Sequence, residues 1–183
     1  MTTLWNDAKR QAVRDTLLQF SRQGVAAFLD AHAGETFYAF AYDCNLEYGE
    51  VNLCLNTEQG FQTALGELQA MYAEYRDNAD AIRQVRYNTG DWDCQCFDTV
   101  YVLNEEELAE LSACLDEGNT DAWFAFLDDL AQVCRQALLA FTHTPEYERI
   151  TKTDDFVCYV IDHEQDVADA LATAIRHPNE TQT

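Results

Sequence analysis

The chain is poor in positive charge. Its 183 residues include 11 Lys and Arg against 33 Asp and Glu, a formal charge of −22. A surface so negative repels phosphate backbones and anionic lipid, which argues against direct binding to nucleic acid or a membrane surface. Proline and glycine are scarce too, at two and seven. Their scarcity excludes a collagen-like chain, a Pro-rich linker and a turn-dense small β-fold. No run approaches the roughly 18 apolar residues of a membrane-spanning helix. The opening MTTLWNDAKRQAVRDTLLQF spreads its charges evenly, with no apolar core ahead of a small-residue cleavage site, so a secretory signal is not expected. Four signatures of catalysis or phosphate binding are missing as well: G-x-x-x-x-G-K-[ST], G-x-G-x-x-G, H-E-x-x-H and G-x-S-x-G.

What is present suits a folded domain. Hydrophobic residues make up 48% and aromatics 12%, enough for a core that takes about 70% of the unfolded surface out of water. The expectation is one α+β domain over residues 1–176 and a flexible tail over 177–183. The cysteines number seven, an odd count, and most sit in apolar runs such as VNLCLN, AQVCRQALL and FVCYVI. They read as small buried hydrophobes in a reducing cytoplasm. Cys94 and Cys96 form one C-x-C, and with no matching second pair and four scattered histidines the reading is free thiols, with no metal and no cofactor.

Apolar periodicity predicts a helix over 3–31 and a strand over 36–44, joined through NLEYGE to a second strand over 50–56 as an antiparallel hairpin. Asn56 with Gln59 reads as an approximate capping box for a helix ending near Arg76. The stretch IRQVRYNTGDWDCQCFDTVYVL reads as one or two short strands joined at NTGD. Asn104 with Glu107 predicts another capped helix, closed by Gly118. An aromatic-rich helix then runs from Trp123 to Phe141, with Pro145 ending it. FVCYVI at 156–161 reads as a buried strand, and Asp162 with Gln165 as the cap of a last helix carrying Val167, Leu171 and Ile175. The resulting fold class is α+β: a small, mainly antiparallel sheet packed with about five helices.

The negative charge is unevenly distributed. Between Arg86 and Arg135 stand twelve acids and no base, and between Arg22 and Arg76 eight more acids and again no base. One-signed stretches create a field that steers a cationic partner. Acids in the first turn of a helix, such as Glu105 to Glu107, also favour the helix dipole, and an acidic surface resists aggregation, so charge alone leaves both readings open. The candidate partner-binding residues are Asp91, Asp93, Asp98, Glu105, Glu106, Asp128 and Asp129. A hydrolase-like enzyme is the alternative, with Asp91 and Asp93 on one face of an extended segment or with a Cys–His pair meeting in space. A third reading is a nucleic-acid mimic whose carboxylates imitate a phosphate ladder.

Three stretches read in order, FYAFAYDC, VNLCLNTEQGF and RYNTGDWDCQCFD, resemble the bacterial domain-of-unknown-function family 4303. Asn56, Thr57 and Glu58 match its Asn-Thr-Glu-Glu strand end, with Gln59 in place of the second Glu. Arg86, Asp91 and Trp92 match its later Arg-Trp-x-x-x-Asp-Trp segment, with Tyr87 in place of the first Trp and Cys94 in place of an aromatic. Small acidic members of such groups look like immunity proteins. The resemblance therefore implies a cytoplasmic protein, not an enzyme, that binds a cognate secreted or polymorphic toxin and occludes its active site. A basic toxin domain acting on nucleic acid, nucleotide or NAD would be the partner. The matching residues also have a structural reading, as a helix cap and a buried Trp.

Overall fold

The computed structural model describes residues 4–115 and 120–176. Helix α1 (Asp7–Ala31) opens the fold, capped by Asn6, whose side chain accepts from the Lys9 amide. Strands β1 (Phe37–Asn45) and β2 (Glu50–Thr57) form the expected hairpin. Its corner is one 3-10 turn, Leu46–Tyr48, closed by Gly49 at φ +63°. A Cβ on Gly49 would lie 3.0 Å from Leu103, so close packing adds to the conformational demand for glycine. Then follow α2 (Glu58–Met71), α3 (Glu74–Asp77), α4 (Ala79–Tyr87), β3 (Cys94–Tyr101), α5 (Glu105–Leu115), α6 (Thr120–Phe141), α7 (Pro145–Glu148), β4 (Lys152–Asp162), α8 (Val167–Ala172) and β5 (Ile175–Arg176).

The strands form one five-stranded sheet in the order β3-β2-β1-β4-β5. Its pairings are antiparallel except the one at its centre, where β4 lies parallel to β1. The run Phe156–Ile161 is buried throughout, as suits a central strand covered on both faces. One face packs under α1, α5 and α6 through Leu17, Val25, Leu111, Leu130 and Phe141. The other packs under α2, α4 and α8 through Phe61, Leu65, Val85 and Leu171. The fold is α+β in three layers, with eight helices among the described residues where about five were expected.

Local chemistry explains the departures. Residues 79–87 form a helix and not a strand, because Asn78 caps them twice, accepting from the amides of Asp80 and Ala81. Val85 is the position this helix buries. Thr57 and not Asn56 caps α2, accepting from the Gly60 amide at 3.0 Å. Asn56 is still strand and 1% exposed. Pro145 opens α7 at its first position, where its missing N–H costs nothing, and α6 has already ended at Phe141. The last helix is capped by Asp166 and stops at Ala172, and Ile175 belongs to β5. The Asn104–Glu107 box forms as read, each backbone amide donating to the other side chain. Gly118 and the tail 177–183 lie outside the described residues.

Candidate functional site

The seven acids singled out in the sequence do not gather on one face. Asp91 and Asp93 stand on the α2 side of the sheet, lining a shallow cleft of about 290 Å³ with Thr63, Glu67 and Met71. The segment is not one extended run. Asp91 closes a 3-10 turn, Thr89–Asp91, and Trp92 is buried in the α2-side core while Cys94, expected on its face, packs with the α1-side core. The Asp91 carboxylate accepts from Asn88 Nδ2 at 2.9 Å, and no histidine or cysteine is among the described residues of the cleft. Asp98 lies on the opposite side, against α1, where a Cβ on Gly24 would come within 2.8 Å of its Oδ2. Glu105 and Glu106 are exposed in the first turn of α5. Asp129 is engaged within the fold, accepting from Arg10 Nε at 2.6 Å and Trp5 Nε1 at 2.5 Å. Asp128, one residue earlier, faces outward into a groove.

That groove, of about 660 Å³, runs between the hairpin corner, α6 and the loop after β4. The corner projects Tyr48 outward while Leu46 is buried beneath it. Asp162 pins the arrangement, its Oδ1 accepting from the Leu46 amide at 3.0 Å. From α6 come Phe124, Leu127, Asp128, Ala131 and Arg135, a helical stripe separate from the buried one through Phe126, Leu130, Val133, Ala137 and Phe141. Phe124 stands two residues, or about 200°, from Phe126 and is therefore turned away from the core. Tyr48 is 62% and Phe124 58% exposed. Glu47, Asp128, Asp162 and Glu164 surround them, with Arg135 and His163 the basic side chains of the lining. Exposed aromatics rimmed by carboxylates provide apolar anchoring and electrostatic selection in one place. Of the sequence-derived candidates Asp128 belongs here. Tyr48, Phe124, Glu47, Asp162 and Glu164 were missed, and the sequence-level signal was an aromatic at Phe124 out of phase with the core stripe.

The two motifs of the resemblance meet elsewhere. Asn56 Nδ2 donates to the Tyr38 hydroxyl at 3.1 Å, and that hydroxyl donates to the Arg86 carbonyl. Trp92 Nε1 donates to the same carbonyl at 3.0 Å. The Arg86 guanidinium lies 4.1 Å from the Tyr38 ring centre and 4.9 Å from that of Phe61. It also bonds Glu58 at 2.7 Å and Asp155 at 3.0 Å. Burial disfavours the Arg86 charge, but the hydrogen bonds it donates to Glu58 and Tyr87 and the Glu58 charge outweigh it, so the guanidinium is held protonated. Arg86 thus ties α4 to α2, β1 and β4, which gives the motif residues a structural part in the fold.

The profile of the domain of unknown function DUF4303 matches residues 17–179. The chain belongs to the DUF4303 family. The match takes in both DUF4303 motifs and also the C-terminal half, which short motifs alone did not reach. No curated protein and no solved structure matches the DUF4303 chain. Among its described residues no helix is long and apolar enough to cross a membrane.

Proposed function

We propose that this DUF4303 chain is an immunity protein. It binds the basic domain of a cognate secreted or polymorphic toxin in the cytoplasm and occludes that domain's active site, with no catalysis of its own. The observation that carries this reading is the groove at the hairpin corner, where Tyr48 and Phe124 stand exposed among Glu47, Asp128, Asp162 and Glu164. Aromatic residues at the centre of an interface supply most of its binding energy, and surrounding charge sets encounter rate and partner choice. A formal charge of −22 extends that field over the molecule and favours a cationic protein over nucleic acid or anionic lipid. A toxin domain that handles RNA, DNA or NAD carries such a cationic cleft, and a carboxylate-lined surface with two aromatic anchors complements it.

Co-expression with the product of the neighbouring gene tests the proposal. Rescue of growth is expected, along with a salt-sensitive complex between the two proteins. The double substitution Tyr48→Ala/Phe124→Ala should abolish rescue while leaving the circular dichroism spectrum unchanged. No rescue by the unaltered chain, or full rescue by the double variant, overturns the assignment to this groove and partner.

A further inference from the structure

A second cluster crosses three neighbouring strands on the sheet face covered by α2 and α4. Asp43 of β1, Cys54 of β2 and Cys96 of β3 bring a carboxylate oxygen and two sulfurs within 4.8 Å of one another. None of them lines the groove. Bringing Cys96 to this face takes an irregular backbone. The β2–β3 register shifts between Leu53 and Leu55, and Cys96 adopts φ +46°, the one positive φ among the described non-glycine residues. Such a conformation is strained for a non-glycine residue, and functional sites are among the places where it is kept. The irregularity also separates the C-x-C pair, since Cys94 packs with the α1-side cluster while Cys96 joins Cys54.

The surroundings are those of an oriented ligand set. The Cys96 amide donates to Cys54 Sγ at 3.1 Å, a bond that favours the thiolate. Thr89, itself 3% exposed, donates its hydroxyl to Asp43 Oδ2 at 2.7 Å, fixing the carboxylate while leaving the other oxygen available. Cys54 is buried, Asp43 half-buried and Cys96 exposed, so the cluster opens to solvent on one side. Burial pushes the Asp43 carboxyl and both thiols up. Three groups that resist ionising together are relieved by a cation placed among them.

We propose that Asp43, Cys54 and Cys96 form a binding site for a borderline-soft divalent cation, zinc(II) foremost, with the fourth position open on the Cys96 side. Two sulfurs and a carboxylate suit tetrahedral zinc, whose sulfur ligands at about 2.3 Å would stand about 3.8 Å apart, within reach of small side-chain rotations. Binding releases the two thiol protons to solvent and changes no oxidation state.

Titration of the reduced, metal-free protein with cobalt(II) followed by zinc(II) tests the site. One equivalent of cobalt should produce a thiolate-to-cobalt charge-transfer band in the near ultraviolet, and zinc should erase it. Cys96→Ser, at an exposed position, should lose the band with its circular dichroism intact. Asp43→Asn should weaken cobalt binding at least tenfold, and Cys94→Ser should leave it unchanged. Absence of the band in the reduced wild-type protein overturns the proposal, as does an undiminished band in Cys96→Ser. None of these outcomes depends on a toxin, so the site and the immunity reading stand or fall separately.

Discussion

At the residue scale, Arg86 and Asp43 illustrate opposite uses of burial. Arg86 bonds two carboxylates and stacks on two rings, so Arg86→Ala should destabilise the protein by about 2 kcal/mol, read as a lower midpoint in urea unfolding. Arg86→Lys should recover part of the loss, because an ammonium keeps the charge without the bidentate, stacking plane. Asp43 is a group that the fold works against. Its carboxyl is raised by burial, the Thr89 bond and the His163 charge offsetting this in part. A carboxyl whose folded pKa is raised destabilises the native state at neutral pH, and that cost disappears as falling pH protonates it. Asp43→Asn should therefore stabilise the metal-free protein at pH 7, with the gain fading in acid, as thermal unfolding across that range would record. A gain in stability from a variant that loses a ligand would mark a functional position.

At the scale of elements, the sequence was readable wherever one periodicity ran long. Helix α1, the hairpin, the Asn104–Glu107 box, α6 and the buried β4 core follow from apolar spacing and side-chain capping, both local in the chain. Residues 82–87 were misread as strand although Ile82 and Val85 stand at helical spacing, because the helix is only nine residues long and runs directly into the NTGD turn and β3. The double cap by Asn78 and the packing of Val85 decided it as helix. The cap of α2 was misplaced by one residue because Asn56 finds its partner across the sheet, in Tyr38. Gly60 shows how close that junction is, since a Cβ there would lie 2.5 Å from Asn56 Oδ1 and 2.9 Å from Asp93 Oδ2. Gly60→Ala should cost about 1–3 kcal/mol despite the better helix propensity of alanine, because Asn56 is buried and held on both its amide atoms. Chemical denaturation would measure the loss.

At the scale of the molecule, stability should fall in acid. The Lys9 hydrogen bond holds the Glu107 carboxyl below its usual range, and the Thr153 hydroxyl with the Arg86 charge does the same for Asp155. Groups with lowered folded pKa values contribute stability above their unfolded values, near pH 4, and lose it as pH falls through the folded ones. An acid-induced unfolding transition that begins below about pH 4 is expected, and Arg86→Ala and Lys9→Ala should each flatten it. Binding to a cationic partner should weaken steeply with salt, mostly through the association rate.

The amino-acid order by itself determined the charge, the α+β class and most of the elements, because these depend on composition and on neighbours a few residues apart. It also carried the family resemblance, in motifs that stay recognisable as short strings. Tertiary structure decided which acids share a surface. The base-free window from Asp91 to Asp129 is continuous in the chain, but its residues fall on both sides of the sheet, and Asp129 is taken up by Arg10 and Trp5. The groove instead joins the hairpin corner, one stripe of α6 and the end of β4, segments far apart in the chain. Asp43, Cys54 and Cys96 likewise meet because β1, β2 and β3 are adjacent and a register shift turns one cysteine over. Strand order and side-chain direction are set by packing across the sheet, and no local pattern in the sequence records them.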